Sequence, residues 1–217
     1  MEKPVLKLEG ITVKEVESYK YLGVQIDTQL RWNEQTQRAI ANTTKWLLQF
    51  RRLTRLSTGV NAKLMRQLYL TVALLKITYG IDIWYSPPTK PVGYMKNIGS
   101  VNALRRLQKT QRIATLAITG SLRTSPTDLL DVHAGLLPME LALLKACHNA
   151  TVCLLTLPDT HPLHKIVKHV KRSPPTKHLS PINHLLKTLR LLDVDIETIY
   201  PKQQGTTFPT DSQQKQL

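Results

Sequence analysis

Residues 33–56 read NEQTQRAIANTTKWLLQFRRLTRL, and this stretch decides the fold that the sequence predicts. Its hydrophobic residues recur at helical spacing, so one side can pack on a bundle while the other faces solvent. Asn33 is placed to cap this helix, and Glu34 suits the positive end of the helix dipole. The residues predicted to pack in the core are Ile40, Thr43, Trp46, Leu47 and Phe50.

The opposite side of this helix is basic, and a later helix repeats the pattern. Four Lys and Arg residues follow one another at intervals of seven, seven and three, which places them on one side. That first basic row is Arg38, Lys45, Arg52 and Arg55. The second basic row, spaced i, i+4 and i+7, is Arg105, Lys109 and Arg112.

Both rows lie in a long region that is almost free of acids. Residues 35–127 contain fifteen Lys and Arg but a single carboxylate, Asp82, and the 217-residue chain has a formal charge of +15. Surface helices usually mix charges, whereas a field of one sign suits a polyanion, most simply the phosphates of a nucleic acid. A solvated basic face without a ligand is the alternative. Two-metal nucleotidyl transfer needs clustered carboxylates, so we expect no such centre here.

The remaining pattern predicts a mainly α fold, with an N-terminal β-hairpin and four to six helices. Alternating residues over 5–8 and 11–26 indicate strands of an antiparallel hairpin or meander. Gly23 interrupts this alternation, which predicts a bulge or a close backbone approach. Further helices are predicted over residues 61–77 or 61–84, 100–118, 128–132, 138–157 and 182–192, separated by Gly and Pro.

The cysteines and histidines predict neither a disulfide nor a metal site. Cys147 and Cys153 on one helix would be about 9 Å apart, beyond the roughly 7 Å Cα limit of a disulfide. We therefore expect two buried free thiols in a reducing, intracellular compartment. The spacing of the Cys and His residues departs from zinc-binding pairs. Asp27 is interpreted as a cap or turn former, and no apolar run approaches the ~20 residues of a membrane helix.

Residues 19–27 read YKYLGVQID and are followed by Leu30 and Trp32. This run resembles the end of the reverse-transcriptase palm in non-LTR retrotransposons of the jockey, I and fungal Tad-like kinds. In that family a Y-L-G-V-x-I-D-x-x-L-x-W run forms a hairpin that leads into the thumb.

The resemblance continues in order along the chain, from about residue 10 to about residue 190. Each later segment is short, so the resemblance depends on the segments following one another in the same order as in the family. The family patterns are L-Y…Y-G-x-x-x-W, Q-R-x-A…I-x-G…R-T-x-P and G-x-x-P, followed by a connector. The segments are Leu68-Tyr69, Tyr79-Gly80, Trp84, Gln111-Arg112-Ile113-Ala114, Ile118-Thr119-Gly120, Arg123-Thr124-Ser125-Pro126, Gly135-Leu136-Leu137-Pro138, His161-Pro162-Leu163 and residues 180–185.

The resemblance implies three parts: residues 1–30 would be a β-hairpin from the palm edge, 31–157 a thumb-like helical bundle, and 158–200 a Pro- and His-rich connector. The polar composition of residues 201–217 predicts a disordered tail. In the family the fingers and the palm with its catalytic aspartates precede the hairpin, whereas here Met1 lies about twenty residues before it. We therefore expect a fragment of the polymerase that is inactive in isolation.

The implied function is that of a thumb and connector of an RNA-directed DNA polymerase, which grips a primer–template duplex of RNA and DNA by its phosphates. Its partners would be that duplex and the missing palm and fingers; magnesium belongs to the parent polymerase, and no cofactor is expected in this chain. The alternatives are a stand-alone basic helical nucleic-acid-binding protein and a basic scaffold that binds an acidic protein. The candidate nucleic-acid-binding residues are Tyr21, Leu22, Gly23, Arg38, Lys45, Arg52, Arg55, Arg105, Lys109 and Arg112.

Overall fold

A computed structural model describes residues 7–8, 11–12, 16–53, 59–90, 95, 97–172 and 181–189. It confirms a mainly helical fold in which an antiparallel hairpin precedes the helices. The strands are β1 (Lys7–Leu8), β2 (Ile11–Thr12), β3 (Ser18–Tyr21) and β4 (Val24–Asp27). The helices are α1 (Asn33–Phe50), α2 (Ala62–Leu68), α3 (Leu74–Thr78), α4 (Ile81–Trp84), α5 (Val101–Thr119), α6 (Thr127–His133), α7 (Met139–Leu155), α8 (Pro162–Arg172) and α9 (Pro181–Leu189).

The described part of the chain therefore has more helices than the four to six that were expected. The main reason is the second predicted helix, which is divided: a π-helical segment (Tyr69–Ala73) separates α2 from α3, and the chain turns at Gly80 before α4. Gly80 has a φ of 60°, a left-handed conformation that ends one helix and starts the next. Two sheets of two strands each form, β1 with β2 and β3 with β4.

The turn between β3 and β4 differs from the predicted bulge. Tyr21 pairs with Val24, so Leu22 and Gly23 form a two-residue turn. Their φ angles are 45° and 88°, positive at both positions as in type I′ hairpin turns. The bulge prediction was wrong because the break in alternation marks the end of one strand rather than an extra residue within it.

The hairpin turn packs directly on the corner between α3 and α4. The Tyr79 hydroxyl donates a hydrogen bond to the Leu22 carbonyl at 2.8 Å. A Cβ added to Gly23 would lie 3.1 Å from Tyr79 Cε1, and one added to Gly80 would lie 3.1 Å from Val24 Cγ2. Two glycines and one tyrosine thus fix where the hairpin sits on the helical body.

The start of α1 is held by Asp27 rather than by the predicted cap, Asn33. The helix begins at Asn33, and Trp32 occupies the cap position in a left-handed conformation without a side-chain cap. The Asp27 carboxylate accepts hydrogen bonds from the backbone amides of Arg31 at 2.9 Å and Trp32 at 3.0 Å. The Asn33 prediction was therefore wrong by one position, and Asp27 forms the turn as predicted.

Helix α5 is shared by two hydrophobic clusters. It contributes Leu104 and Leu107 to a cluster with α4, α7 and α9, and Ala114 and Ile118 to a cluster with α1, α2 and the π-helical segment. The predicted core side of α1 is confirmed: Thr43, Leu47 and Phe50 are buried, and Ile40 and Trp46 are partly buried and packed against the clusters.

The two cysteines are free, as expected, but only Cys147 is buried. Cys153 is exposed, so the prediction of two buried thiols was wrong for this residue. Burial raises the pKa of the Cys147 thiol to about 12, with a smaller contribution from the Asp82 carboxylate. Cys147 is accordingly a core side chain rather than a reactive thiolate.

Replacing Gly23 by Ala should destabilise the protein more than replacing Gly120 by Ala. Both glycines have positive φ, so each alanine costs about 1–2 kcal/mol of backbone strain. Gly120 has open space around its added Cβ, whereas Gly23 meets the Tyr79 ring, which should add roughly 1 kcal/mol. Urea unfolding of both variants measures the difference. Equal losses would mean that the Tyr79 contact does not constrain the turn.

Candidate nucleic-acid interface

The tip of the hairpin is an exposed aromatic and apolar projection. Tyr21 is 59% exposed and Leu22 is 75% exposed, and Tyr19 on the same face of β3 is exposed as well. The turn that carries Leu22 is fixed by Tyr79, so these side chains project from a supported position. The tyrosine rings at this tip can contact a partner without leaving the hydrophobic core, because they are not part of it.

Beside the tip lies a basic groove of about 420 Å³, which we call the hairpin groove. It is bounded by the turn, α1, the π-helical segment and α3, and two of the predicted residues, Gly23 and Arg38, line it together. Lys76 of α3 lines it as well and was missed, because the sequence shows it only as an isolated charge in an apolar run. No Asp or Glu is among the described residues that line the groove.

Arg38 is held in the groove by the hairpin itself. Its Nη1 donates a hydrogen bond to Gln25 Oε1 at 3.1 Å, and the Gln25 backbone amide donates to Gln35 Oε1 at 2.8 Å. One acceptor on β4 therefore orients a guanidinium group of α1. The remaining N–H donors of Arg38 stay available for a ligand, since a guanidinium has five.

The other members of the first row are less constrained. Lys45 and Arg52 are exposed, and neither side chain makes a hydrogen bond or ion pair within the described ranges. Arg52 lies in a 3₁₀ turn, Arg51–Leu53, that follows α1. Arg55 lies outside the described residues.

The second row borders a different groove, of about 380 Å³, which we call the α6 groove. Arg105 and Lys109 are exposed along it, and Asp128 and Asp131 of α6 line it too. Because these carboxylates offset part of the positive charge, the α6 groove is less suited to an anion than the hairpin groove. Among the described residues, the two rows border different grooves.

Arg112, the last member of the second row, holds the loop between α5 and α6. Its Nη1 donates to Thr127 Oγ1 at 2.7 Å, and its Nη2 donates to the carbonyls of Arg123 at 2.7 Å and Ser125 at 2.8 Å. Three of its five donors are thereby used within the protein. A structural role explains this arginine without a ligand.

A buried polar network lies behind the α6 groove. The Tyr69 hydroxyl donates to Gln111 Oε1 at 3.2 Å, and Gln111 Nε2 donates to Asp131 Oδ1 at 2.9 Å and to the Leu137 carbonyl at 3.0 Å. Burial raises the pKa of the Asp131 carboxyl, although the hydrogen bond from Gln111 opposes this. Burial also raises the pKa of Tyr69, with Asp131 adding to the effect. The network links the π-helical segment, α5 and α6 through one glutamine.

Within the described ranges, no group of three or more His, Cys, Asp or Glu side chains is arranged to hold a metal ion. The acidic residues Asp193, Asp195 and Glu197, interpreted from the sequence as a solvated linker, lie outside those ranges. Among the helices of the described part, none is long and apolar enough to cross a membrane. Comparison with protein-family models, curated proteins and solved structures found no match.

Asp131→Asn should make the protein more stable than the wild type at pH 7. Asparagine keeps an oxygen that can accept from Gln111 Nε2 but removes the buried charge. Since the folded pKa of Asp131 is raised, its favourable contribution is complete only below the unfolded pKa of about 3.9 and is lost as pH rises through the folded pKa. The advantage of the variant should therefore grow between pH 3 and pH 7.

Urea unfolding across this pH range tests the prediction, with Glu17→Gln as the control, because Glu17 is an exposed carboxylate outside the α6 groove. A variant that is less stable than the wild type at pH 7 would contradict the account. That result would mean that the cations of the α6 groove stabilise the Asp131 charge.

Proposed function

We propose that this chain grips the phosphates of a primer–template duplex, as the thumb and connector of a non-LTR retrotransposon reverse transcriptase. It does so without a catalytic site of its own; the palm, the fingers and magnesium belong to the parent polymerase. The observation that carries the proposal is the contact between two segments that resemble the family. The Leu22-Gly23 turn and the Tyr79-Gly80 corner are far apart in sequence but pack on one another.

The charge distribution beside this contact favours a polyanion. Arg38 and Lys76 line the hairpin groove, which lacks described carboxylates, and Lys45 and Arg52 extend the positive charge along α1. Arg38 and Lys45 are seven residues apart, or about 10 Å along the helix axis. Two cations at this interval on one side of a helix present a continuous positive surface to a phosphate backbone. A strand lying along α1 could contact both cations.

The hairpin tip supplies the second element of the proposed interface. Gly23 lines the hairpin groove, and Tyr21 and Leu22 precede it in the chain. All three would sit near the primer terminus, as the family resemblance implies. Tyr19 and Tyr21 are exposed on one strand and could contact bases or sugars at the duplex end, since aromatic rings stack on any base. Exposed tyrosines are also common at protein interfaces, so the binding measurements below separate nucleic acid from the scaffold alternative.

Replacing Arg38, Lys45 and Arg52 together by Gln should weaken duplex binding for all sequences and reduce its salt dependence. If four to six cations contact phosphates, the wild-type slope of log affinity against log salt should be about −4 to −5. Loss of three contacts should reduce the slope by roughly two to three units. Gln retains helix propensity, so the fold should persist.

The matched control replaces Lys63, Lys90 and Lys145 by Gln, three exposed lysines that lie outside both basic rows, outside both grooves and outside the connector. It removes the same charge from elsewhere and should leave the slope nearly unchanged. Fluorescence anisotropy of a labelled RNA–DNA duplex at several salt concentrations measures both variants. Equal slopes for the two variants would refute the placement on α1. Tighter binding to polyglutamate than to the duplex would favour the scaffold alternative.

A further inference from the structure

A second cavity, of about 900 Å³, lies between the starts of α1 and α5, and we call it the α1–α5 cleft. It shares none of its lining residues with the hairpin groove, so a ligand in the cleft would bind at a site distinct from that of the duplex. Pockets that bind small molecules have volumes of about 300–1,000 Å³, and this cleft falls within that range.

Two arginines make the α1–α5 cleft positive. Arg31 lines it just before α1 and Arg106 lines it from the second turn of α5, and both are exposed. Neither guanidinium group has a hydrogen-bond or ion-pair partner in the described part of the chain, in contrast to Arg38, Arg66 and Arg112. Their donors therefore remain available for an oxyanion that accepts two parallel hydrogen bonds from one guanidinium, such as a phosphate or a carboxylate.

Nothing among the described lining residues neutralises these arginines, because none is Asp or Glu. The first turn of α5, a helix of 19 residues, borders the same cleft and contains no acidic residue. Its backbone amides add partial positive charge to that of the two guanidinium groups. A ligand that carries a compact negative charge is thus favoured over a neutral or cationic one.

The rest of the lining suits the base and sugar of a nucleotide. Trp32 is half-buried at the cleft and offers part of an indole ring, which can stack on a base. Asn97 and Asn102 are exposed side-chain amides that can donate and accept hydrogen bonds at a base edge. Trp84 also lines the cleft, but its indole nitrogen donates to the Tyr79 carbonyl at 3.0 Å and holds the α3–α4 corner.

We propose that the α1–α5 cleft binds a nucleoside phosphate, with Arg31 and Arg106 on the phosphate and Trp32 against the base. The shared chemistry is a phosphomonoester, which could belong to a free nucleotide or to the 5′ end of a strand. The proposal does not depend on the hairpin groove, because the arginines, the cavity and the ring lie elsewhere.

The test compares ligands that differ only in this phosphate. Calorimetric titration measures AMP against adenosine, and a 5′-phosphorylated single-stranded hexanucleotide against its 5′-hydroxyl form. The wild type should prefer the phosphorylated member of at least one pair by roughly tenfold, since charge-assisted hydrogen bonds to phosphate are the strong ones. Arg31→Gln and Arg106→Gln should each largely abolish that preference.

Lys145→Gln is the matched control, because it removes one exposed positive charge that lies outside the cleft and outside both basic rows, and it should leave the preference intact. Thermal melting checks that each variant is folded. The comparison of phosphorylated with unphosphorylated ligands on the wild type tests the proposal even if a variant fails to fold. A preference for AMP identifies a free nucleotide, and a preference confined to the hexanucleotide identifies a strand end. Equal binding of both members of both pairs would overturn the proposal, as would an equal fall in preference in Lys145→Gln.

Discussion

The fit of the hairpin turn against Tyr79 and Gly80 is the constraint on which the proposed interface depends. Gly23 must lack a side chain both for its positive φ and for the Tyr79 ring, and the Tyr79 hydroxyl satisfies the Leu22 carbonyl. Because β4 is fixed in this way, Gln25 can orient Arg38 in the groove. A shift of the hairpin would separate the aromatic tip from the basic side of α1.

Helix α5 plays the corresponding role inside the protein. It lies between two hydrophobic clusters, and its buried Gln111 satisfies a tyrosine, a carboxylate and a backbone carbonyl at once. A buried amide with this many partners specifies one arrangement of its neighbours, because any other arrangement would leave polar groups unpaired. The positions of Arg105 and Arg106, which diverge into the α6 groove and the α1–α5 cleft, follow from that fixed helix.

Periodicity predicted the long helices well because their buried positions are set by packing within one element. The core side of α1 and the end of α5 at Gly120 were both evident from spacing and from glycine chemistry. The geometry of the hairpin turn was harder to predict from the sequence. Leu22 and Gly23 form a turn that requires glycine partly because of the Tyr79 ring, and no local pattern reveals this long-range contact. Likewise, Asn33 has the composition of a cap, but Asp27 holds the preceding amides.

The candidate site was predictable only in part for a related reason. Spacing along one helix shows which cations share a side, but not what lies opposite that side. Arg112 fits the basic row by spacing, yet the α5–α6 loop engages three of its donors. Lys76, isolated in an apolar run, enters the hairpin groove only because α3 packs beside α1. The pairing of Arg31 with Arg106 around one cleft depends on the packing of helices distant in sequence.

The central claim is that a duplex lies across the hairpin tip and along the basic side of α1. Photo-crosslinking tests it most directly, using an RNA–DNA primer–template that carries 5-iodouracil near the primer terminus, followed by mass-spectrometric mapping of the attached peptides. The account predicts attachment at Tyr19 or Tyr21 on the exposed face of β3. Attachment confined to α8 and α9, with the hairpin unmodified while the duplex remains bound, would contradict it.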